Sequence, residues 1–308
     1  MSYYPDKSGG DIEKKLIVPR IEISGYGAFI LTGPSSCGKG EVAKSLCKLL
    51  SIPEERWLSM GSILRYAYER AYASPEFMRT LSERYHIGNS TRLLESIDAS
   101  DEVVAKVTSQ QENLTQFLRR RRQDASGESA WQSVSSLEWL EYCTVHGLLV
   151  PNRWTQSLIE AHLDLLSLTT ERPFIIDGYP RTKAAAKHLL DVFQRDGIPI
   201  FKVLHLSISK QEMLQRAEKR QRVDDNFSSL LKRYEFYIES VQPSVDYLKE
   251  RLGSEKIALI DAHQPDYDEI DGVKTLNLTR SINNVVHSSL VSIGLSRILS
   301  DALMASRS

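Results

Sequence analysis

Apolar residues along this chain fall into short continuous runs, separated by longer stretches where they recur every three or four positions. Ala28-Phe29-Ile30-Leu31 has the length and continuity of a strand buried on both faces. Phe174-Ile175-Ile176, Ile200-Phe201-Lys202-Val203-Leu204 and Ile257-Ala258-Leu259-Ile260 read the same way. Helical spacing predicts helices over residues 42–50, 155–168, 183–195, 209–220 and 226–251. Leu16-Ile17-Val18 and Ile21-Glu22-Ile23 are further strand candidates, interrupted by Pro19. Strands alternating with helices in this way predict an α/β protein whose parallel sheet is covered on both faces.

Residues 75–146 break that rhythm: their apolar positions predict several helices and no strand. Gln123-Asp124-Ala125-Ser126-Gly127 has the composition of a loop within this region. Ser135-Ser136-Leu137-Glu138 reads as a capping box opening a helix that Gly147 closes. Residues 262–275, rich in Asp, read as a surface loop or hairpin, and the spacing of Ile282, Val285, Val286, Leu290 and Ile293 as a closing helix. No internal repeat is visible. The pattern predicts a loose arm over 1–24 and one core over 25–308, with a helical insertion at about 62–150 and not two independent domains.

Composition narrows the class. With 41% hydrophobic and 26% charged residues in 308, the chain has globular proportions. The net charge of -1 gives no basic field that would advertise nucleic acid or an anionic membrane. Cys37, Cys47 and Cys143 form neither a ladder nor a metal-ligand pair, and the seven histidines have no metal-binding spacing. The first ten residues lack the apolar run of a signal peptide, and no stretch approaches a membrane span. The expectation is a soluble, cytoplasmic protein, without membrane or nucleic-acid partners.

Chemistry concentrates first at Gly33-Pro34-Ser35-Ser36-Cys37-Gly38-Lys39-Gly40, between a predicted strand and a predicted helix. Backbone N–H groups in such a turn converge on an anion, and the helix N-terminus favours it. Gly33 and Gly38 permit the φ values this requires, and Lys39 can reach β- and γ-phosphates. The strict phosphate-loop pattern has Ser or Thr after the lysine, where this chain has Gly40.

The Gly-Lys-Gly form of the loop resembles that of the nucleoside-monophosphate kinases, the adenylate kinase and UMP/CMP kinase family. Further motifs follow in that family's order. Ser59-Met60-Gly61-Ser62-Ile63-Leu64-Arg65 resembles its Ser-Thr-Gly-Asp-x-x-Arg, and Gly147-Leu148-Leu149-Val150-Pro151 resembles the loop closing its monophosphate site. Asp177-Gly178-Tyr179-Pro180-Arg181 is similar to its Asp-Gly-Phe-Pro-Arg. Residues 216–226, with Arg233 following, resemble a short version of its lid, placed at about 217–225.

The resemblance implies a three-layer P-loop fold with a parallel, mostly five-stranded sheet, a short lid and a helical monophosphate-binding insertion. It implies ATP as phosphoryl donor with Mg2+, a nucleoside monophosphate as acceptor, and a monomer, with an oligomer through the insertion as the alternative. By that likeness Gly33, Ser35, Ser36, Cys37, Gly38, Lys39, Gly40 and Glu41 would hold ATP. Gly61, Arg65, Val150, Gly178 and Arg181 would bind the acceptor. Lys39, Arg181, Arg216, Arg222 and Arg233 would serve catalysis, Arg220 is a further lid candidate, and Asp177 would orient magnesium through water. Arginine suits such work because its planar fork stays charged and binds phosphate oxygens in pairs.

Several positions depart from the family pattern. Glu41 stands where Thr or Ser is usual; a carboxylate suits a helix N-terminus but repels a triphosphate. Met60 and Ala185 replace the Thr and Gln that help adenylate kinases recognise adenine. The segment from Arg65 to Pro151 exceeds the family's by about 50 residues. Its Arg119-Arg120-Arg121-Arg122 run reads as a solvated helix end, and Trp131, Trp139 and Trp154 as packing residues. These departures leave two alternatives to a nucleotide kinase: a kinase with a non-nucleotide acceptor, and a non-catalytic nucleotide sensor.

Overall fold

A computed structural model describes residues 18–90, 92–122, 130–167, 172–220, 227–270 and 272–306. Five strands, β1 (Gly27–Thr32), β2 (Trp57–Ser59), β3 (Pro173–Asp177), β4 (Ile200–Ser207) and β5 (Ile257–Asp261), form one all-parallel sheet in the order β2-β3-β1-β4-β5. Strand alternation explains the continuous apolar runs. Ala28, Ile30, Phe174, Ile176 and Val203 enter one core, whereas Phe29, Leu31, Ile175, Leu204 and Leu206 enter the other. Neighbouring side chains leave a strand on opposite faces, so a sheet covered twice needs apolar residues at every position.

The second core packs α1 (Lys39–Leu49), α9 (Lys210–Arg220), α12 (Leu278–Ser292) and α13 (Arg297–Ala305) under the sheet. The first core is larger. It takes residues from α2 (Met60–Ala73), α3 (Pro75–Tyr85), α4 (Asp101–Ser109), α5 (Gln111–Arg121), α6 (Ser136–Val145), α7 (Asn152–Ser167) and α8 (Lys183–Arg195). Trp139 and Trp154 are fully buried there, in the packing role read from the sequence.

Four local readings change. Ile21–Ile23 is not a strand: the Ile21 N–H donates to the Leu49 carbonyl at 2.8 Å, and Val18, Ile21 and Ile23 pack on the second core. Pro19 has no N–H for a ladder, which favours this irregular path; Leu16 and Ile17 lie outside the described residues. Strand β2 was not anticipated, being too short to display a period. The helix expected over 226–251 is two, α10 (Phe227–Phe236) and α11 (Gln242–Leu252), joined by a π-helical turn over Tyr237–Val241. Pro243 cannot donate back to Glu239, and the wider turn accommodates that missing bond.

The arginine run also differs from a solvated end. Arg119 and Arg120 are exposed, but Arg121 pairs with Glu141 at 3.2 Å and lies 4.0 Å over the Tyr72 ring. Arg122 chelates the buried Glu138 carboxylate and donates to Ser133 Oγ at 2.9 Å. The helix end meets acidic groups of α6, so the charges are used in packing. Glu138 closes the expected capping box: it accepts from the Ser135 N–H at 2.8 Å while its own N–H donates to Ser135 Oγ at 3.2 Å. The loop expected at 123–127 lies outside the described residues. The Asp-rich segment takes the hairpin alternative, as β6 (Tyr267–Ile270) paired antiparallel with β7 (Val273–Leu276). Among the described residues, no helix is long and apolar enough to cross a membrane.

Candidate functional site

The chain leaves β1, turns, and enters α1 at Lys39, beside the point where it later crosses from β3 to β4 on the other side of β1. Such a switch point opens a crevice at the carboxyl ends of the strands. Gly33 has φ +143° and packs so close to β4 that a Cβ would run into the Leu206 carbonyl oxygen. Gly38 has φ +90° and is the N-cap of α1, with no side chain capping the first turn. The first helical N–H groups therefore remain available to an anion.

Lys39 lies across this loop. Its ammonium donates to the Gly33 carbonyl at 2.9 Å and the Pro34 carbonyl at 2.7 Å, and approaches Cys37 Sγ at 3.5 Å. Ser35 and Ser36 are half-buried, Cys37 is buried, and Gly40 and Glu41 are exposed on the first turn. Ser36 Oγ is a buried polar atom without a hydrogen-bond partner among the described residues. Behind the loop, His205 of β4 lies 2.9 Å from the Tyr237 hydroxyl, which donates to Gln242 at 3.0 Å. Burial, assisted by the Lys39 charge, pushes the His205 pKa down to about 4, so the ring is neutral near pH 7.

Asp177 ends β3, directly opposite Leu31 of β1 and Ser59 of β2. Burial raises its carboxyl above the ordinary value, while the charges of Lys39 and Arg181 oppose that rise. Arg181 follows a cis Tyr179–Pro180 bond and donates through Nε to the Gly178 carbonyl at 2.7 Å. The crowded cleft lowers the Arg181 pKa, Asp177 opposes, and the like charge of Arg233 lowers it further. Asp177 thus feels the charges of Lys39 and Arg181, and Arg181 that of Arg233.

A cavity of about 460 Å3 opens beside Arg181. Val150, Gly178 and Arg181, expected to bind the acceptor, line it, as do Met60 and Ala185. Gly61 and Arg65 stand together on the first turns of α2, where a Cβ at Gly61 would only touch the Arg65 guanidinium at van der Waals distance, and neither lines the cavity. Arg216 of α9 donates to the Ala262 carbonyl at 2.8 Å. Arg222 and residues 223–225 of the expected lid lie outside the described residues, as does the Arg220 side chain.

The sequence reading missed what builds the cavity's outer wall. Asp98, which precedes α4, is buried and accepts from Arg153 Nε at 2.7 Å and Trp154 Nε1 at 2.8 Å, with a second bond from Arg153. It ties that wall to the start of α7. Glu102, Lys106, Phe236 and Ser240 also face the cavity. Only the adjacency of Arg153 and Trp154 to the Pro151 loop signalled this arrangement; nothing local marks Asp98.

Among the described residues, no three His, Cys, Asp or Glu side chains gather to hold a metal. A self-contained metal cage is therefore not built from them. A single carboxylate such as Asp177 at this cleft would fit magnesium carried on a nucleotide, because that ion keeps most of its waters.

Comparison with known proteins bears on this geometry. Residues 130–252 match the family described as adenylate kinase. The chain is 33% identical over 106 residues to the adenylate kinase of Mycobacterium bovis (strain BCG / Pasteur 1173P2), covering 34% of this chain and 58% of that protein. It is 36% identical over 101 residues to that of Mycobacterium ulcerans (strain Agy99), covering 33% and 55%. The match thus spans a little over half the length of these curated relatives. Val150, Asp177, Gly178, Arg181, Arg216 and Arg233 fall inside the family stretch, whereas the loop at 33–40 precedes it. The likeness read from the ordered motifs and this match agree on the nucleoside-monophosphate kinases.

Proposed function

On the premise that residues 130–252 are of adenylate kinase type, we propose that the chain transfers the γ-phosphoryl group of ATP to a nucleoside monophosphate, yielding a nucleoside diphosphate and ADP. One observation carries the reading. Lys39, Asp177 and Arg181 converge at the carboxyl edge of neighbouring strands, and Arg181 lines a cavity of about 460 Å3. That volume is within the usual range for small-molecule sites, about 300–1,000 Å3.

Phosphoryl transfer asks a protein for positioning and charge neutralisation more than for covalent chemistry. Lys39 would exchange the Gly33 and Pro34 carbonyls for β- and γ-phosphate oxygens, with the α1 N–H groups beside it. Arg65 and Arg181 would hold the acceptor phosphate, and Arg216, Arg222 and Arg233 would surround the group in flight. Asp177 would orient magnesium through water; when bound to the phosphates, that ion neutralises part of their charge. The reading needs no general base. It places the protein in a reducing cytoplasm as a monomer, consistent with three free, buried cysteines.

The test is ADP production from Mg-ATP with AMP, CMP, UMP, GMP and their deoxy forms. Turnover with a monophosphate, reduced at least about 100-fold in Lys39→Ala without loss of the folded state, is the expected result. Tight ATP binding with no transfer to any acceptor would instead mark a sensor. Transfer only to a non-nucleotide would keep the donor site and replace the acceptor.

A further inference from the structure

We infer that Lys106 reads the acceptor base and selects one with a carbonyl oxygen at its exocyclic position, a 4-oxopyrimidine or 6-oxopurine, over adenine or cytosine. The inference rests on the monophosphate-acceptor reading of the cavity and names the base class that cavity takes.

The cavity is apolar over much of its wall, through Met60, Leu64, Val103, Trp139 and Val150. Of its other polar side chains, those of Asp98, Ser100 and Thr182 are engaged with the protein, whereas Trp139 Nε1 is a buried donor without a hydrogen-bond partner among the described residues. The Asp98 carboxylate is taken by Arg153 and Trp154. Ser100 caps α4 by accepting from the Val103 N–H at 3.3 Å. Thr182 accepts from the Ala185 N–H at 3.1 Å and donates to Asn152 at 3.4 Å. Neither Met60 nor Ala185 offers a strong hydrogen-bonding group to a base.

Lys106 adds a charged donor. It projects from the last turn of α4 to line the cavity, and its side chain is 28% exposed. Among the described residues its ammonium makes two long contacts, 3.4 Å to the Leu149 carbonyl and 3.8 Å to the Glu102 carboxylate. An ammonium has three donors and no acceptor, so these contacts leave protons for a ligand. A charged donor strengthens such a bond when its acceptor is a carbonyl oxygen in an apolar site. Guanine O6 and uracil O4 are acceptors at the exocyclic position, whereas adenine and cytosine carry amino donors there. Donor would then face donor, and the unmatched groups discriminate against the amino bases.

The experiment measures KM and kcat for UMP, GMP, AMP and CMP with the full chain, Lys106→Met and Lys106→Arg, at saturating Mg-ATP. UMP or GMP should have the lowest KM in the wild type. Lys106→Met should raise that KM about 10- to 100-fold, narrow the gap to AMP, and leave the KM for ATP unchanged. Lys106→Arg, which keeps a charged donor, should retain most of the preference, and thermal melting of both variants checks their folding. A wild-type preference for AMP or CMP overturns the inference. So does an equal rise in KM for all four acceptors in Lys106→Met, which would mark a phosphate contact or a wall residue. Turnover without an oxo-base preference removes this inference alone; absence of Lys39-dependent turnover with all four removes the kinase reading with it.

Discussion

His205 is held neutral behind the glycine-rich loop at 33–40, and that state has a thermodynamic signature. Its pKa falls from 6.5 to about 4 in the folded chain because burial, and then the Lys39 charge, disfavour the imidazolium. Between those values the unfolded chain binds a proton that the folded chain does not. Stability therefore rises with pH through this window, and falls as pH drops from about 6.5 towards 4. The contribution is at most about 3 kcal/mol across the window, from 1.36 kcal/mol per unit. His205→Gln, which keeps a polar partner for Tyr237, should have a flatter dependence. Urea unfolding of both proteins from pH 4 to 7 measures the difference; parallel curves would mean that His205 titrates normally. Residue chemistry was unevenly legible in the sequence. Lys39, Asp177 and Arg181 declare themselves because their neighbours form motifs, whereas Asp98 and Lys106 acquire their roles from partners 55 and 43 positions away.

At the scale of elements, the Arg122–Glu138 pair joins the end of α5 to the capping box of α6. Burial alone would raise the Glu138 pKa, but bonds from Arg122 and Ser135 more than compensate and hold it below 4.5. A carboxyl depressed on folding stabilises the protein above its unfolded pKa, and that contribution is lost as pH falls through the folded value. Glu138→Ala removes the ion pair and half of the cap, and leaves Arg122 without its carboxylate partner. The expected cost is about 3–5 kcal/mol, typical of breaking a buried pair. A change below about 1 kcal/mol in urea unfolding at pH 7 would show that the pair is dispensable. Strands β1, β3 and β4 were visible as apolar runs because burial on both faces leaves no alternative composition, whereas the apolar run of the edge strand β5 leaves Leu259 72% exposed. Strand β2 was not, since three residues cannot establish a period, and the break between α10 and α11 was hidden by apolar spacing that continues through the π-helical turn.

Across the whole molecule, the sheet divides two apolar cores that share its strands. Leu140 belongs to one and Leu290 to the other, and both are fully buried. Replacing either with Ala should cost about 2–5 kcal/mol. Because adjacent residues of β1 serve opposite cores, each variant should unfold in one transition at a lower urea midpoint. Two separable transitions in either variant would show that the cores melt independently.

The first of these cores contains Leu93, Val107, Leu114 and Leu118 together with Ala28, Ile30 and Phe174. The long helical segment between Arg65 and Pro151 is therefore stitched to the strands of the sheet by ordinary side-chain packing, and not hung from it by two loops. Such a segment cannot be traded between relatives as a cassette. Cutting it out would strip apolar cover from α7 and from the sheet, so the remainder would need apolar-to-polar substitutions there to stay folded.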